Sequence, residues 1–167
     1  MSFLQALWPL GALYLVLFAA VSDLHSMRIP NWISLALLVL FVLGLPFHIV
    51  AGITGHVIVF AIACLVLAAL FFAKMAGGGD VKLLAALSLW VGPEGIVPFL
   101  LVMSIVGGLM GGLGLLLARS EGLKAHQFKW TDSWLARIVR GEKVVAYGVA
   151  IAVGFVAALT KTYFSHL

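Results

Sequence analysis

The chain has 167 residues, of which 64% are hydrophobic and only 10% are charged, and its mean hydropathy is +1.21. Such a composition excludes a water-soluble globular domain and predicts an integral membrane protein. The net charge of +4 does not indicate a nucleic-acid partner, because the basic residues lie between apolar runs and not on a surface interleaved with aromatic residues. The single cysteine, Cys64, excludes an internal disulfide and a cysteine-rich metal site.

Apolar segments follow one another along the chain. Crossing about 30 Å of hydrocarbon takes about 20 helical residues, so the length predicts an all-α, polytopic protein with about six transmembrane helices in one membrane-embedded domain, residues 1–167. Residues 51–56 and Gly92-Pro93-Glu94-Gly95 are predicted turns, and the polar segment 119–143 is predicted to be a basic, partly helical interfacial loop. The predicted membrane spans are residues 3–21, 32–50, 57–73, 81–92, 96–118 and 144–160.

The lysine and arginine residues are unequally divided between the two sides of this topology. If the first, third and fifth connections share one side, nine of the ten basic residues lie there and Lys161 alone lies on the other. The positive-inside rule makes the basic side cytoplasmic. We therefore expect a multi-pass protein with both termini outside, which in a bacterium is the periplasmic face of the inner membrane.

Two aspartates interrupt the apolar pattern at the same predicted border. Asp23 follows the first span and Asp80 precedes the fourth, both on the cytoplasmic side. Placing a carboxylate near lipid costs a few kcal/mol or more, so such a residue is a candidate functional group. Taken singly, Asp80 could be a helix N-cap after a glycine connector and Asp23 a solvated loop residue. Their common depth favours a pair in which one ionised carboxyl activates a water and the other donates a proton, chemistry that needs no cofactor or metal.

The neighbours of the two aspartates suggest supporting roles. Gly77, Gly78 and Gly79 permit positive φ angles and a close approach of a substrate or of a facing helix. Pro30 cannot continue a helix interior, and Asn31 is predicted to be the N-cap of the second helix. Lys82 lies two residues after Asp80 and hence on a different helical face, so we expect an interfacial anchor and not a catalytic group.

Three segments resemble one known family. Residues 77–83, Gly-Gly-Gly-Asp-Val-Lys-Leu, resemble the GxGD motif of intramembrane aspartyl proteases and in their flanks the type IV prepilin peptidases. Residues 23–31, from Asp23 to the Ile-Pro-Asn sequence, resemble that family's other aspartate motif. Residues 146–152 are similar to a third family segment, with Ala146 in place of the usual proline before Tyr-Gly.

The resemblance implies a membrane aspartic endopeptidase with Asp23 and Asp80 as its catalytic pair. Such an enzyme cuts the short basic leader of a prepilin just after a glycine, on the cytoplasmic side, and its partners are the prepilin or pseudopilin, membrane lipids and pilus-assembly proteins. The length resembles the short form of the family, which is associated with Flp or Tad-type pili. The long form carries paired CxxC motifs and methylates the trimmed pilin. With one cysteine, this chain is expected to lack that methyltransferase activity.

Two other functional classes remain open from the residues alone. A small proton- or cation-coupled transporter or channel also uses paired acids. A helical assembly factor would need no chemistry at all. A transporter would favour acids near the middle of the bilayer, whereas both acids here are predicted at one border.

Overall fold

The computed structural model describes residues 3–47, 52–118, 134, 137 and 146–163. Within these ranges the chain forms helices and no strand, which confirms the predicted all-α class for the described part. The predicted interfacial loop 119–143 lies outside the described residues, apart from Trp134 and Arg137. The helices are α1 (Phe3–Ser26), α2 (Asn31–Gly44), a 3-10 turn (Leu45–Phe47), α3 (Ile53–Phe72), α4 (Gly78–Ala118) and α5 (Tyr147–Tyr163).

Several of these helices are long and apolar enough to cross a bilayer. By length and composition, three stretches of the described chain qualify: Leu7–Ser26, Ile53–Phe72 and Gly78–Leu116. Two further apolar helical stretches, Asn31–Phe47 and Tyr147–Thr162, are shorter. The length and apolar composition of these helices support the prediction of a membrane protein. The count of six spans stays a prediction.

The helix bounds differ from the predicted spans mainly at polar or small residues. α1 runs beyond residue 21 to Ser26, where the Ser26 hydroxyl donates to the Ser22 carbonyl, 2.8 Å away. Asp23 therefore belongs to the end of a helix and not to the following loop. α3 already begins at Ile53, inside the predicted turn 51–56, and α4 begins at Gly78, before the predicted start at residue 81.

The predicted N-cap of α2 is wrong. Asn31 is the first residue of the helix, and Pro30 occupies the cap position in an extended conformation (φ −61°, ψ 131°) without a side-chain capping bond. The Pro30 carbonyl accepts from the Ile33 amide at 3.1 Å, which turns the chain into the helix. Because proline cannot cap with its side chain, its role here is its fixed φ.

α4 breaks at Gly92, inside the predicted turn. Gly92 adopts φ 57° and ψ −166°, and Pro93 has no N–H to donate to the carbonyl of Leu89. His56 of α3 donates to that carbonyl instead, at 2.8 Å. Thr162 of α5 likewise donates to the carbonyl of Val91, at 3.2 Å. Side chains of two other helices thus bind carbonyls that the break removes from the helical hydrogen-bond pattern.

The break folds α4 back on itself. Leu84 and Met103 are nineteen residues apart, which in a straight helix would separate them by about 28 Å. They nevertheless line the same cavity beside α3. Antiparallel packing of the second half of α4 on α5 agrees with this, since Gly95 approaches Thr162 and Gly107 approaches Tyr147.

The core lies between α1, α2, α4 and α5. Trp90 of α4 is fully buried, and its indole N–H donates to the Leu37 carbonyl of α2 at 3.0 Å. The Phe41 ring meets the Trp90 ring edge-on, with centroids 5.3 Å apart. In contrast, His56 is the one buried residue within α3, residues 53–72. α3 therefore attaches to the bundle mainly through its first turn and its contacts with α4.

Replacing Gly92 with alanine is expected to lower the thermal stability of the protein in detergent. The backbone conformation of Gly92 costs other residues about 1–3 kcal/mol, and a new Cβ would overlap the His56 ring. Thermal unfolding should show a midpoint several degrees lower. The control is Gly108→Ala, where the new Cβ meets no heavy atom within 4 Å and the midpoint should hold or rise. Equal midpoints for the two variants would contradict the strained break.

Candidate active site

Asp23 is held where the end of α1 meets the start of α5. Its side chain is buried, with 6% of the residue exposed, and its Oδ2 atom accepts a hydrogen bond of 2.8 Å from the amide of Gly148. Gly148 lies in the first turn of α5, where backbone N–H groups lack helical partners and attract negative charge. The alternative of a solvated loop residue is therefore wrong for Asp23.

Gly148 has no room for a side chain. A Cβ built there would lie 2.8 Å from Cβ of Asp23, 3.0 Å from its Oδ2 and 3.3 Å from the Ala20 Cα. Gly148 lies in the segment 146–152 that is similar to the family, but the sequence predicts no role for it. The available signal was the Tyr-Gly pair at the start of the last apolar segment, but nothing in the sequence shows which carboxylate its amide faces.

Asp80 lies in the first turn of α4. The helix is entered at Gly77, whose carbonyl accepts from the Val81 amide at 3.0 Å. The Asp80 carboxyl folds back over this entry, because a Cβ on Gly77 would come within 3.0 Å of Asp80 Oδ2. Both aspartates are thus placed beside helix N-termini, Asp80 on its own helix and Asp23 on α5.

The three glycines act through close approach and not through positive φ. Among the described glycines, positive φ occurs only at Gly52 and Gly92, so that part of the prediction is wrong for Gly77, Gly78 and Gly79. A Cβ on Gly79 would lie 3.2 Å from the Ile29 Cβ and 3.4 Å from the Ile29 carbonyl oxygen. A Cβ on Gly78 would lie 3.3 Å from the Phe71 ring. Small residues therefore let the Asp80 segment pack directly on the loop after α1.

A cavity of about 330 Å³ contains both aspartates in its wall. The structure thereby brings together Asp23, Asp80, the three glycines and Asn31, all of which were candidate site residues from the sequence. Pro30 and Lys82 do not line this cavity. Its full lining comprises Asp23, Met27, Arg28, Ile29, Asn31, Gly77, Gly78, Gly79 and Asp80.

Lys82 takes part in the site indirectly. Its Nζ atom donates to the Oδ1 atom of Asn31 at 3.1 Å. This bond links the first turn of α4 to the first turn of α2, next to the cavity that contains both aspartates. The expected role of Lys82 as an interfacial anchor stays a prediction.

The loop after α1 is fastened from two sides. The Ser22 hydroxyl donates to the Arg28 carbonyl at 2.9 Å, which closes the loop onto α1. Met27 adopts φ 51°, an uncommon conformation for a side-chain-bearing residue. It packs, with Leu24 and Met110, against the buried pair Trp134 and Ala146. These contacts were not predicted, because they join segments that are remote in sequence.

The arrangement provides two acid–base groups in one confined space with backbone hydrogen-bond donors nearby. Two carboxyl groups in a shared cavity can divide the roles of proton acceptor and proton donor around a water. Among the described residues, no three histidine, cysteine, aspartate or glutamate side chains cluster as metal ligands would.

The known proteins to which this chain is similar share one description. The chain is 36% identical over 132 residues to a prepilin leader peptidase/N-methyltransferase of Aeromonas hydrophila, covering 73% of this chain and 41% of the relative. The corresponding protein of Aeromonas salmonicida strain A449 is also 36% identical over 132 residues, covering 73% and 40%. One from Xanthomonas campestris pv. campestris is 51% identical over 39 residues, 23% of this chain and 14% of the relative.

The chain spans about two fifths of the length of the Aeromonas relatives. No solved structure matches it. The model of the type IV leader peptidase family matches residues 10–112, a range that contains both Asp23 and Asp80. With that match over more than half of its residues, the chain belongs to the type IV leader peptidase family.

Proposed function

We propose that this protein is a membrane aspartic endopeptidase that removes the basic leader from prepilin-like substrates. The observation that carries the proposal is the shared cavity of Asp23 and Asp80, two acids that are remote in sequence and lie at the ends of different helices. Family membership and the names of the Aeromonas relatives support the same substrate class.

The reaction uses one carboxylate as general base and one neutral carboxyl as general acid. The carboxylate takes a proton from a water in the cavity, and the water oxygen forms a bond to the scissile carbonyl carbon. The carboxyl donates its proton to the carbonyl oxygen. The tetrahedral diol then collapses and its C–N bond breaks: the carboxyl that took the proton of the water gives it to the leaving nitrogen, and the other aspartate, now a carboxylate, takes a proton back from one of the two hydroxyl groups. The pair titrates as a unit, so neither role is assigned to one aspartate.

The hydrogen bond from Gly148 positions one member of the pair. A carboxyl group that reacts with water must be held in a narrow range of orientations. The Gly148 amide binds one oxygen of Asp23, and a carboxylate retains a second oxygen for the water. Gly148 is therefore a positioning residue in this proposal, and α5 is required for the geometry of Asp23.

The same proposal includes the location of the site. Both ends of the proposed site, the C-terminal turn of α1 and the first turn of α4, lie at the basic border of the predicted topology. If the fold-back of α4 makes two spans, six segments cross the membrane and the aspartates face the cytoplasm. The protein then resides in a bacterial inner membrane and receives its substrate, and any pilus-assembly partner, from the cytoplasmic side.

The activity proposed for these residues is peptide cleavage. The one cysteine of the 167 residues, Cys64, lies within α3, so these residues contain no paired CxxC motif. The longer relatives are named as having both activities.

Replacing either aspartate with asparagine is expected to abolish cleavage of a prepilin-like substrate. Asparagine keeps the shape of the aspartate side chain but can neither accept nor hold the transferred proton. The cleavage rate should therefore fall by at least about a hundredfold. The measurement is release of the leader by purified protein, wild type against Asp23→Asn and Asp80→Asn, at matched folded fractions. Full activity in either variant would exclude the dyad, and no cleavage by wild type would exclude the proposed function.

Replacing Gly148 with alanine is expected to lower the cleavage rate more than its effect on stability explains. The new Cβ would displace Asp23 from the α5 amide. Gly154→Ala is a matched control, because its Cβ would lie 2.8 Å from the Phe99 carbonyl oxygen, in the same helix but away from the aspartates. We expect a loss of stability in both variants and a loss of activity per folded molecule in Gly148→Ala alone. Equal specific activities would contradict the positioning role.

Replacing Lys82 with methionine is expected to leave most of the turnover intact. The variant removes the bond to Asn31, an exposed contact whose loss costs about 1 kcal/mol or less, while the cavity keeps both acids. Steady-state kinetics should show a change of a few-fold in kcat. A loss as large as that of the aspartate variants would identify Lys82 as part of the chemistry.

A further inference from the structure

An apolar groove runs between α3 and both halves of α4. Its volume is about 400 Å³, and its α3 wall extends from Val59 to Leu70, a rise of about 16 Å along the helix axis. Apart from Ser88, every lining side chain is apolar. The Ser88 hydroxyl already donates to the Ala85 carbonyl of its own helix at 2.7 Å, so the groove presents no polar group that needs a partner.

The groove is continuous with the candidate active site. A second pocket, of about 330 Å³, touches Gly77 and Asp80 and so borders the cavity of the aspartates. The same pocket is lined by Leu84 and Met103, which also line the groove. A chain could therefore pass from Asp80 along α4 into the groove without leaving the apolar surface.

The wall formed by α3 is mostly exposed. Within residues 53–72 only His56 is buried, and it lies at the far end of the helix from the aspartates. Toward Asp80, α3 contributes apolar side chains to the groove on one face and exposes others, such as Leu65 at 74%, on the opposite face. α3 can therefore accept an additional helix beside it without disturbing the buried core of α1, α2, α4 and α5.

We propose that this groove binds an apolar helical segment of a membrane-inserted substrate, on the membrane side of the scissile bond. The inference rests on the proposed peptidase function and specifies where its substrate docks. The groove is continuous with the Asp80 pocket, and this favours a peptide segment over a lipid acyl chain. An acyl chain is wholly apolar and gains nothing from extending toward a carboxylate. One face of an apolar helix lies in the groove, and the chain unwinds at the connecting pocket to reach the aspartates.

Filling the groove tests the proposal through binding and not through chemistry. Ala63 lines the groove, whereas Leu65 on the same helix does not. Ala63→Trp is expected to raise KM for a membrane-inserted prepilin-like substrate by about tenfold, equivalent to about 1.4 kcal/mol, with little change in kcat. Leu65→Trp should leave both constants unchanged. A soluble peptide that ends before the apolar segment should be cleaved equally by wild type and Ala63→Trp.

Cross-linking provides the second arm and does not depend on turnover. In a Cys64→Ala background, a photoreactive group on Val66→Cys in the groove should cross-link the apolar segment of the substrate, whereas one on Leu65→Cys should not. Two outcomes would overturn the docking groove and leave the proposed peptidase function standing. One is aspartate-dependent cleavage with an unchanged KM in Ala63→Trp, and the other is cross-links to lipid alone. If Ala63→Trp lost as much activity on the short peptide as on the membrane-inserted substrate, the variant would have a structural defect, and the docking groove would be overturned as well. Cleavage independent of Asp23 and Asp80 would instead overturn the function on which it rests.

Discussion

The fold depends on satisfying backbone carbonyls where α4 breaks at Gly92 and Pro93. In a protein surrounded by hydrocarbon, an unpaired carbonyl costs several kcal/mol, so a break is tolerated only where other groups donate to it. His56 of α3 and Thr162 of α5 supply donors to Leu89 and Val91. The same two contacts tie α3 and the end of α5 to the break. A local defect in one helix thus determines how three helices are arranged.

This arrangement explains how the candidate site is assembled at the opposite end of the bundle. Once α4 folds back, its second half packs antiparallel to α5, with glycines at the crossing points of the two helices. α5 then begins beside the end of α1, which places the Gly148 amide on Asp23. Close packing of small residues repeats at Gly79 and Ile29, where the Asp80 segment meets the loop after α1. Each aspartate is therefore positioned by backbone contacts that larger residues would prevent.

Buried and exposed parts of the molecule are separated. Trp90 and Phe41 belong to a buried core that also includes Ala20 and Leu83, each three residues from one of the aspartates. α3 is attached at one end through His56 and otherwise presents apolar side chains to a groove and to its surroundings. A site that must hold two carboxyl groups in register benefits from the first property. The proposed docking of an apolar substrate segment uses the second.

The amino-acid sequence by itself determined the helical class, the break at Gly92 and Pro93, and the two aspartates as the residues of interest, because hydropathy, proline and an isolated carboxylate near lipid are local signals. The common predicted depth of Asp23 and Asp80 favoured a pair, and the family resemblance implied the same pair. Local signals misplaced the cap of α2 and the φ angles of Gly77, Gly78 and Gly79, since a residue type permits a conformation without requiring it. Only the tertiary structure decided that Gly148 donates to Asp23, that Lys82 binds Asn31, and that the groove beside α3 leads to Asp80. Those contacts join residues that lie far apart in the chain, and their partners are chosen by packing, which no single stretch of sequence specifies.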